Sequence, residues 1–343
     1  MALRFRIRRS GSQRATSQRS GFLGSRRTTL AAMLLAAPLL LATTPGVQSR
    51  QPLVQMDARD FALQRQIEAI VAEGRGRIGV AAMDLDTGRQ ILINGDMPFP
   101  MASTAKVAVA ATLLETIEKG RLRLDQTVPM MVPVAETSAA RTANARLRAG
   151  PTLPVQQLLE LMITRSDNHA TDGLITALGG IGPINAWLAR AGIVGQHLDS
   201  TMATLVRDEN LVNPATTIDT RTSSTPRAML ALLNAIDRGG VLSPQSRALL
   251  LDTMTRTSTG KNRIRAGLPE GTIFAHKTGT LTGVTNDVGI IRLPDGRHLA
   301  MAVFITGNEG HTYHAGLISR ITRTLFDGYA DAPLGAGAAV ARR

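Results

Sequence analysis

Apolar positions recur every three or four residues from Phe61 to Val71, and this spacing predicts a helix. The next segment, RIGVAAMDLDTGRQILING, alternates apolar and polar positions around Asp86-Thr87-Gly88 and reads as a β-hairpin. It leads straight into PMASTAKVAVAATLLE, residues 100–115, whose apolar spacing through Leu113 and Leu114 is that of a core helix. Residues 126–156 are rich in Pro, Thr, Ala and Arg, lack strong periodicity, and read mainly as an extended surface loop. From 155 to about 250 the helical spacing returns, predicting Val155–Arg165, Ala170–Leu178, Ile184–Ala191 and Pro226–Arg238 among others. The chain then goes back to strands. IFAHKTGT, NDVGIIRLP and RHLAMAVFITG form a run whose last two members join through Pro294-Asp295-Gly296, and a final helix covers about His314–Tyr329.

Strand-rich ends around a helical middle imply an α/β, more narrowly α+β, architecture of two lobes. Residues 50–102 and 256–331 supply an antiparallel sheet flanked by terminal helices, 103–255 form an inserted all-helical lobe, and 332–343 are a flexible tail. A cleft between lobes is where a site is expected. With 343 residues and 43% apolar content the chain can bury a sizeable core, in which Trp187 is most simply placed. The absence of cysteine excludes disulfides, thiol catalysis and thiolate metal sites.

A net charge of +13 points to nucleic acid only until its location is checked. Residues 1–49 hold eight Arg and no acid, which leaves 31 basic against 26 acidic residues in the remainder. Ser25-Arg26-Arg27 precedes an apolar run from about Leu30 to Ala42 and then small residues up to Ser49, the layout of a twin-arginine-like export signal. The run is too short, and carries Pro38, for a membrane span. No nucleic-acid partner and no stable span after signal removal are expected.

Only four of the 39 basic residues are lysine: Lys106, Lys119, Lys261 and Lys277. Lys106 sits in the first turn of the core helix, where apolar neighbours and the helix dipole both disfavour the ammonium form. Ser103 is placed to cap that helix, and an amine of lowered pKa one turn away can take its proton. Ser258 and Lys261 repeat the Ser-x-x-Lys spacing in the polar stretch TRTSTGKNR, which reads as a solvated loop. His311 and His314 in HTYH have a spacing compatible with metal, but no HExxH motif accompanies them and a surface helix start is the simpler reading.

STAK (103–106), SDN (166–168) and KTG (277–279), in this order, are the signatures of penicillin-recognising serine hydrolases. The chain resembles the class A serine β-lactamases from roughly residue 55 to 330. The resemblance implies a two-lobe fold, a β-lactam as small-molecule substrate, a monomer, and no cofactor or metal. Ser103 would be the nucleophile, with the backbone N–H groups of Ser103 and Thr280 as oxyanion donors. Lys106 would accept the serine proton directly, or Glu209 would through a water; sequence leaves both open. Ser166 would protonate the departing ring nitrogen. Lys277, Thr278, Gly279 and Thr280 would form the carboxylate subsite with Arg263, and Asn168 would bind the substrate's side-chain amide.

The segment 207–226 resembles the family's Ω-loop, with Glu209 as general base for deacylation and Asn213 beside the hydrolytic water. Thr222 stands where the family places an aspartate that pairs with the equivalent of Arg207, and Asp208 replaces a usually aromatic residue. The aromatic side chain that many relatives place at the cleft entrance is missing from 126–156. The expected location is the periplasm or the medium. Two other functions fit the same Ser-Lys-Ser core: a D-alanyl-D-alanine peptidase-like hydrolase, and a β-lactam sensor that stays acylated.

Overall fold

The computed structural model describes residues 58–135, 143–238 and 240–331, so the export segment 1–49 and the tail 332–343 lie outside the described residues. Helix α1 (Ala58–Glu73) precedes the hairpin β1 (Arg77–Asp84) and β2 (Gln90–Ile93), then β3 (Phe99–Pro100), a 3₁₀ turn (Ala102–Ala105) and α2 (Lys106–Glu118). After β4 (Thr127–Pro133) and β5 (Leu147–Pro154) come α3 (Val155–Thr164), α4 (Asn168–Ala177), α5 (Gly182–Arg190), β6 (Gln196–His197) and α6 (Met202–Arg207). Next are β7 (Ser223–Ser224), α7 (Pro226–Asp237), α8 (Pro244–Thr255) and α9 (Ile264–Gly267). β8 (Phe274–Leu281), β9 (Val284–Arg292), β10 (His298–Thr306) and α10 (His311–Ala330) follow.

Five strands form one antiparallel sheet in the order β2-β1-β10-β9-β8, with the N-terminal hairpin paired to the C-terminal strands. Alternation along each strand divides two cores. Val80 and Ala82 of β1, with Leu299, Met301, Val303 and Ile305 of β10, pack under α1 and α10. Ala81, Ala300, Ala302 and Phe304 face the other way, into the core shared with α2, α3, α4, α7 and α8. Both faces are covered, so β1 and β10 read as nearly continuous apolar runs. Helix α2 is buried on nearly every side, as expected of a helix at the centre of a bundle.

The reading of 126–156 as a loop is corrected in part: β4 and β5 pair there as a two-stranded sheet. Most of their side chains are exposed or half-buried, so no alternation marks them, and the register shifts between Pro129 and Met131. Helix α1 extends beyond its expected span at both ends, and α10 begins three residues earlier than expected.

A buried charge network ties the two hairpin ends of the sheet together. Asp84 Oδ1 accepts the N–H groups of Asp86 and Thr87, closing the β1–β2 turn, and its Oδ2 accepts from Arg297 Nη1 at 2.6 Å. Arg297 also donates to Asp295 and to the carbonyl of Tyr329 near the end of α10. Asp84 is inaccessible and Arg297 nearly so. Removing one member leaves the other charge buried, so Asp84→Ala is expected to lower the unfolding free energy by about 3–5 kcal/mol. Urea denaturation of the variant measures this directly.

Candidate active site

Ser103 lies inside the 3₁₀ turn and is not the helix cap expected from sequence: Met101 occupies the cap position, and no side chain bonds there. The turn begins with Ala102 at φ +49°, a left-handed conformation unusual for a residue with a Cβ. Neighbours over-determine it. Asn286 of β9 donates from Nδ2 to the carbonyls of Pro100 (2.8 Å) and Met101 (3.1 Å), while Met101 N–H donates to Thr222 O. Gly279 of β8 lies so close that a Cβ there would come within 2.5 Å of Met101 O. The Ser103 turn is thus pressed against β8, and this is what requires glycine in KTG.

Lys106 heads α2 with no accessible surface, and its Nζ donates to Ser166 O (2.7 Å), Asn168 Oδ1 (2.7 Å) and Ser166 Oγ (3.2 Å). Burial pulls its pKa down to about 7, opposed by Asp172 and Asp167. No hydrogen bond joins it to Ser103. Lys277, also without accessible surface, donates to Ser166 Oγ (2.9 Å) and Thr278 O (2.9 Å). Burial first, then the nearby Lys106, hold its pKa well below the ordinary lysine value. Ser166 Oγ therefore accepts from both amines, which fills its lone pairs and leaves its own proton to donate. Asp167 caps α4 by accepting Ala170 N–H, so SDN is a helix start whose Ser166, at φ +59°, turns back toward the lysines.

β8 is an edge strand, and its even-numbered residues turn their amide groups away from β9. His276 O accepts from Thr257, Thr278 O from Lys277, and Thr282 N–H donates to Glu209. Thr280 is in phase with them, so its N–H faces the same side. Arg263, buried in the wall behind, donates to Thr280 Oγ1 (2.6 Å), Gly279 O and Asn286 O; Thr278 Oγ1 pairs with Thr259 Oγ1.

The segment 207–226 departs from expectation in its pairing. Glu209 Oε2 accepts Thr282 N–H at 3.0 Å, and no hydrogen bond or ion pair joins Glu209 to Ser103, Lys106 or Asn213. Asn213 Oδ1 is used by Ala215 N–H and Asn308. The structure therefore brings together Ser103, Lys106, Ser166, Asn168, Lys277, Gly279, Thr280 and Arg263, but leaves Glu209 and Asn213 on the β8 edge and within their own loop. Arg207 finds its carboxylate next door: Asp208 accepts from its Nε (2.8 Å) and Nη2 (3.0 Å) and also lies 3.7 Å from Arg221. Asp208 thus serves in place of an aspartate at 222. Thr222 itself, buried at φ +48°, accepts Asp199 N–H on its hydroxyl and ties the loop's exit to Met101.

A family model described as "Beta-lactamase enzyme family" matches residues 62–329. The extended-spectrum β-lactamase PER-1 of Pseudomonas aeruginosa is 31% identical, the alignment covering 86% of this chain and 94% of PER-1. The chain belongs to the class A β-lactamase family. A β-lactamase crystal structure from Chitinophaga pinensis superposes on the enzyme with a TM-score of 0.68 at 31% identity, covering 78% of this chain and 99% of that one. The structure of PBP-A gives 0.67 at 28% identity, covering 79% and 97%.

Three features of the enzyme escaped the sequence reading. Asp172, inaccessible in α4, caps α6 by accepting Met202 N–H (2.7 Å) and Ala203 N–H (2.9 Å), and burial lifts its pKa to about 6 against the pull of those bonds and of Lys106. Asn286 holds the Ser103 turn as described. His276 pairs with buried Asp287 (Nδ1···Oδ1 2.9 Å), whose other oxygen accepts Ile264 N–H. The i, i+4 relation of Asn168 to Asp172 on one helix face was the available signal for the first; the other two join distant segments and leave none. Ser258 and Lys261 are exposed, in keeping with a solvated loop, and Trp187 is core. Among the described residues no group of three or more His, Asp or Glu could hold a metal, and no helix is long and apolar enough to cross a membrane.

Because one carboxylate serves both Arg207 and Arg221, Asp208→Ala is expected to loosen 207–221 specifically. Charge-assisted hydrogen bonds of this kind contribute about 1.5–3 kcal/mol. Hydrogen exchange should therefore accelerate at least about tenfold in that segment, with the β1 and β10 amides unchanged.

Proposed function

We propose that the protein is an exported serine hydrolase that opens the ring of penicillin- and cephalosporin-type β-lactams through an acyl-serine at Ser103, acting as a monomer. The observation that carries this reading is the Ser166 hydroxyl held between two buried lysine amines, next to a nucleophile turn braced by Asn286 and Gly279. Arg26-Arg27 and the apolar run after them support twin-arginine export to the periplasm or the medium.

Ser103 Oγ attacks the lactam carbonyl carbon and gives its proton to neutral Lys106, one helical turn away. The N–H groups of Ser103, at a helix start, and of Thr280, on the strand edge, receive the oxyanion. As the C–N bond breaks, Ser166 gives its proton to the ring nitrogen and is resupplied from Lys106 across the 3.2 Å contact. Lys277, Thr278, Thr280 and Arg263 take the substrate carboxylate, and Asn168 its side-chain amide. Deacylation assigns Glu209, assisted by Asn213, to the water, which requires the Glu209 carboxylate to leave Thr282 N–H. It lines a small pocket together with Leu205, Pro214 and Leu281.

The resting place of Glu209 also favours a second reading, a peptidase-like or penicillin-binding hydrolase that holds its acyl group, in line with the likeness to PBP-A.

Lys106 sets the pH dependence. Its neutral form grows as pH rises through about 7, so the acylation rate should climb along a limb with that midpoint and level off above it. Lys106→Arg retains charge but sheds no proton, and stopped-flow acylation should fall by about 10²–10⁴-fold.

Glu209→Gln separates the two readings. With Glu209 as the base, the variant still acylates but turnover falls by about 10²–10⁴-fold, and mass spectrometry shows one benzylpenicillin mass persisting on the Ser103 peptide. A parent protein that already holds that adduct supports the second reading, and a variant that turns over like the parent makes Glu209 a loop acid.

A further inference from the structure

Thr280 and Thr285 face each other directly across β8 and β9, so their side chains stand on the same face of the sheet. Arg263 occupies the Thr280 hydroxyl. The Thr285 hydroxyl, fully buried, is shared by two imidazoles: His311 Nδ1 at 2.9 Å and His314 Nδ1 at 3.3 Å. His314 is itself buried, and its Nε2 lies 3.2 Å from Glu309 Oε2.

This chain of contacts has a direction. A carboxylate only accepts, so His314 Nε2 donates to Glu309 and a neutral His314 must accept at Nδ1. Thr285 gives its one proton to that acceptor and can then only accept from His311 Nδ1–H. His311 is thereby locked as the Nδ1–H tautomer, the opposite of the form favoured by free histidine. Its Nε2 carries a lone pair and can take a proton without disturbing any bond in the chain. His311 is exposed, on the side of the sheet where Arg263 reaches Thr280.

We propose that His311, oriented by Thr285, His314 and Glu309, is a second cationic contact for the carboxylate of the β-lactam, complementing Arg263 and setting the pH dependence of substrate affinity. The proposal rests on the β-lactam reading above. The charged groups around the imidazole are Arg263, His314 and Glu209, with Glu309 at the far end of the relay. Burial, Arg263 and His314 hold the His311 pKa below the ordinary histidine value, and Glu209 opposes them. The ring is therefore held toward its neutral form near pH 7, and an arriving carboxylate favours its protonation. The sign follows: affinity for an anionic substrate rises as pH falls through the His311 titration, while the acylation rate falls with protonation of Lys106.

Two measurements on the full chain test this. Nitrogen-15 NMR of the ligand-free protein should show His311 as the Nδ1–H tautomer, reverting to Nε2–H in Thr285→Val; an Nε2–H ring in the parent overturns the relay. Calorimetry on Ser103→Ala, which cannot acylate, should show benzylpenicillin binding about three- to fivefold tighter at pH 5.5 than at pH 8, the range of a partly exposed ion pair. The methyl ester, lacking the anion, should show no such difference, and adding His311→Gln should diminish it, leaving only the share carried by Lys106 and Lys277. An undiminished pH effect in Ser103→Ala/His311→Gln overturns the proposal while leaving the β-lactam reading intact. A parent that neither acylates with nor hydrolyses benzylpenicillin overturns both.

Discussion

Two buried lysine amines share one half-buried hydroxyl, and much of the architecture serves to make that arrangement tolerable. Neither Lys106 nor Lys277 has accessible surface, and Lys106 adds to the burial that depresses the affinity of Lys277 for a proton. Desolvation alone would leave both as weak bases of no particular orientation. Hydrogen bonds from α4 fix the first, the edge of β8 fixes the second, and Ser166 stands between them. Acids set the balance: buried Asp172 and half-buried Asp167 on the helical side, buried Asp287 beneath the sheet. The three signatures lie far apart in the chain because each contributes a different wall around one small polar volume.

The same requirement explains where sequence reasoning succeeded. Amphipathic periodicity registers burial, so α2, α3, α4, α7 and the three C-terminal strands were legible, as was an antiparallel sheet made from both chain ends. Strands β4 and β5 carry little buried surface, and nothing in their pattern distinguishes them from a loop. The helix-cap reading of Ser103 failed for a different reason: a serine before an apolar helix is usually a cap, whereas here a 3₁₀ turn intervenes and keeps its hydroxyl out of the helix bonds. Buried polar pairs such as His276 with Asp287 are invisible to periodicity, since their meaning lies in a partner on another strand.

The Ω-loop shows how a missing residue can mislead. An aspartate absent from 222 suggests an unanchored loop when positions are compared singly. Asp208, equally unexpected, supplies the carboxylate from the opposite end, so two departures that look like separate weaknesses form one ion-paired network with Arg207, Arg221 and Asp219. Position 222 then needs no charge, and its hydroxyl and carbonyl serve the backbone instead.

Ser166 holds a left-handed backbone conformation that a glycine would adopt at no steric cost, whereas a residue with a side chain gives up of order 1–3 kcal/mol there. The hydroxyl that joins the two amines offsets that cost, because without it both buried Nζ groups lose a hydrogen-bond acceptor. A glycine placed at 166 for its backbone would thus trade one local strain for two unsatisfied buried amines, so engineering for thermal tolerance gains nothing by relaxing this turn.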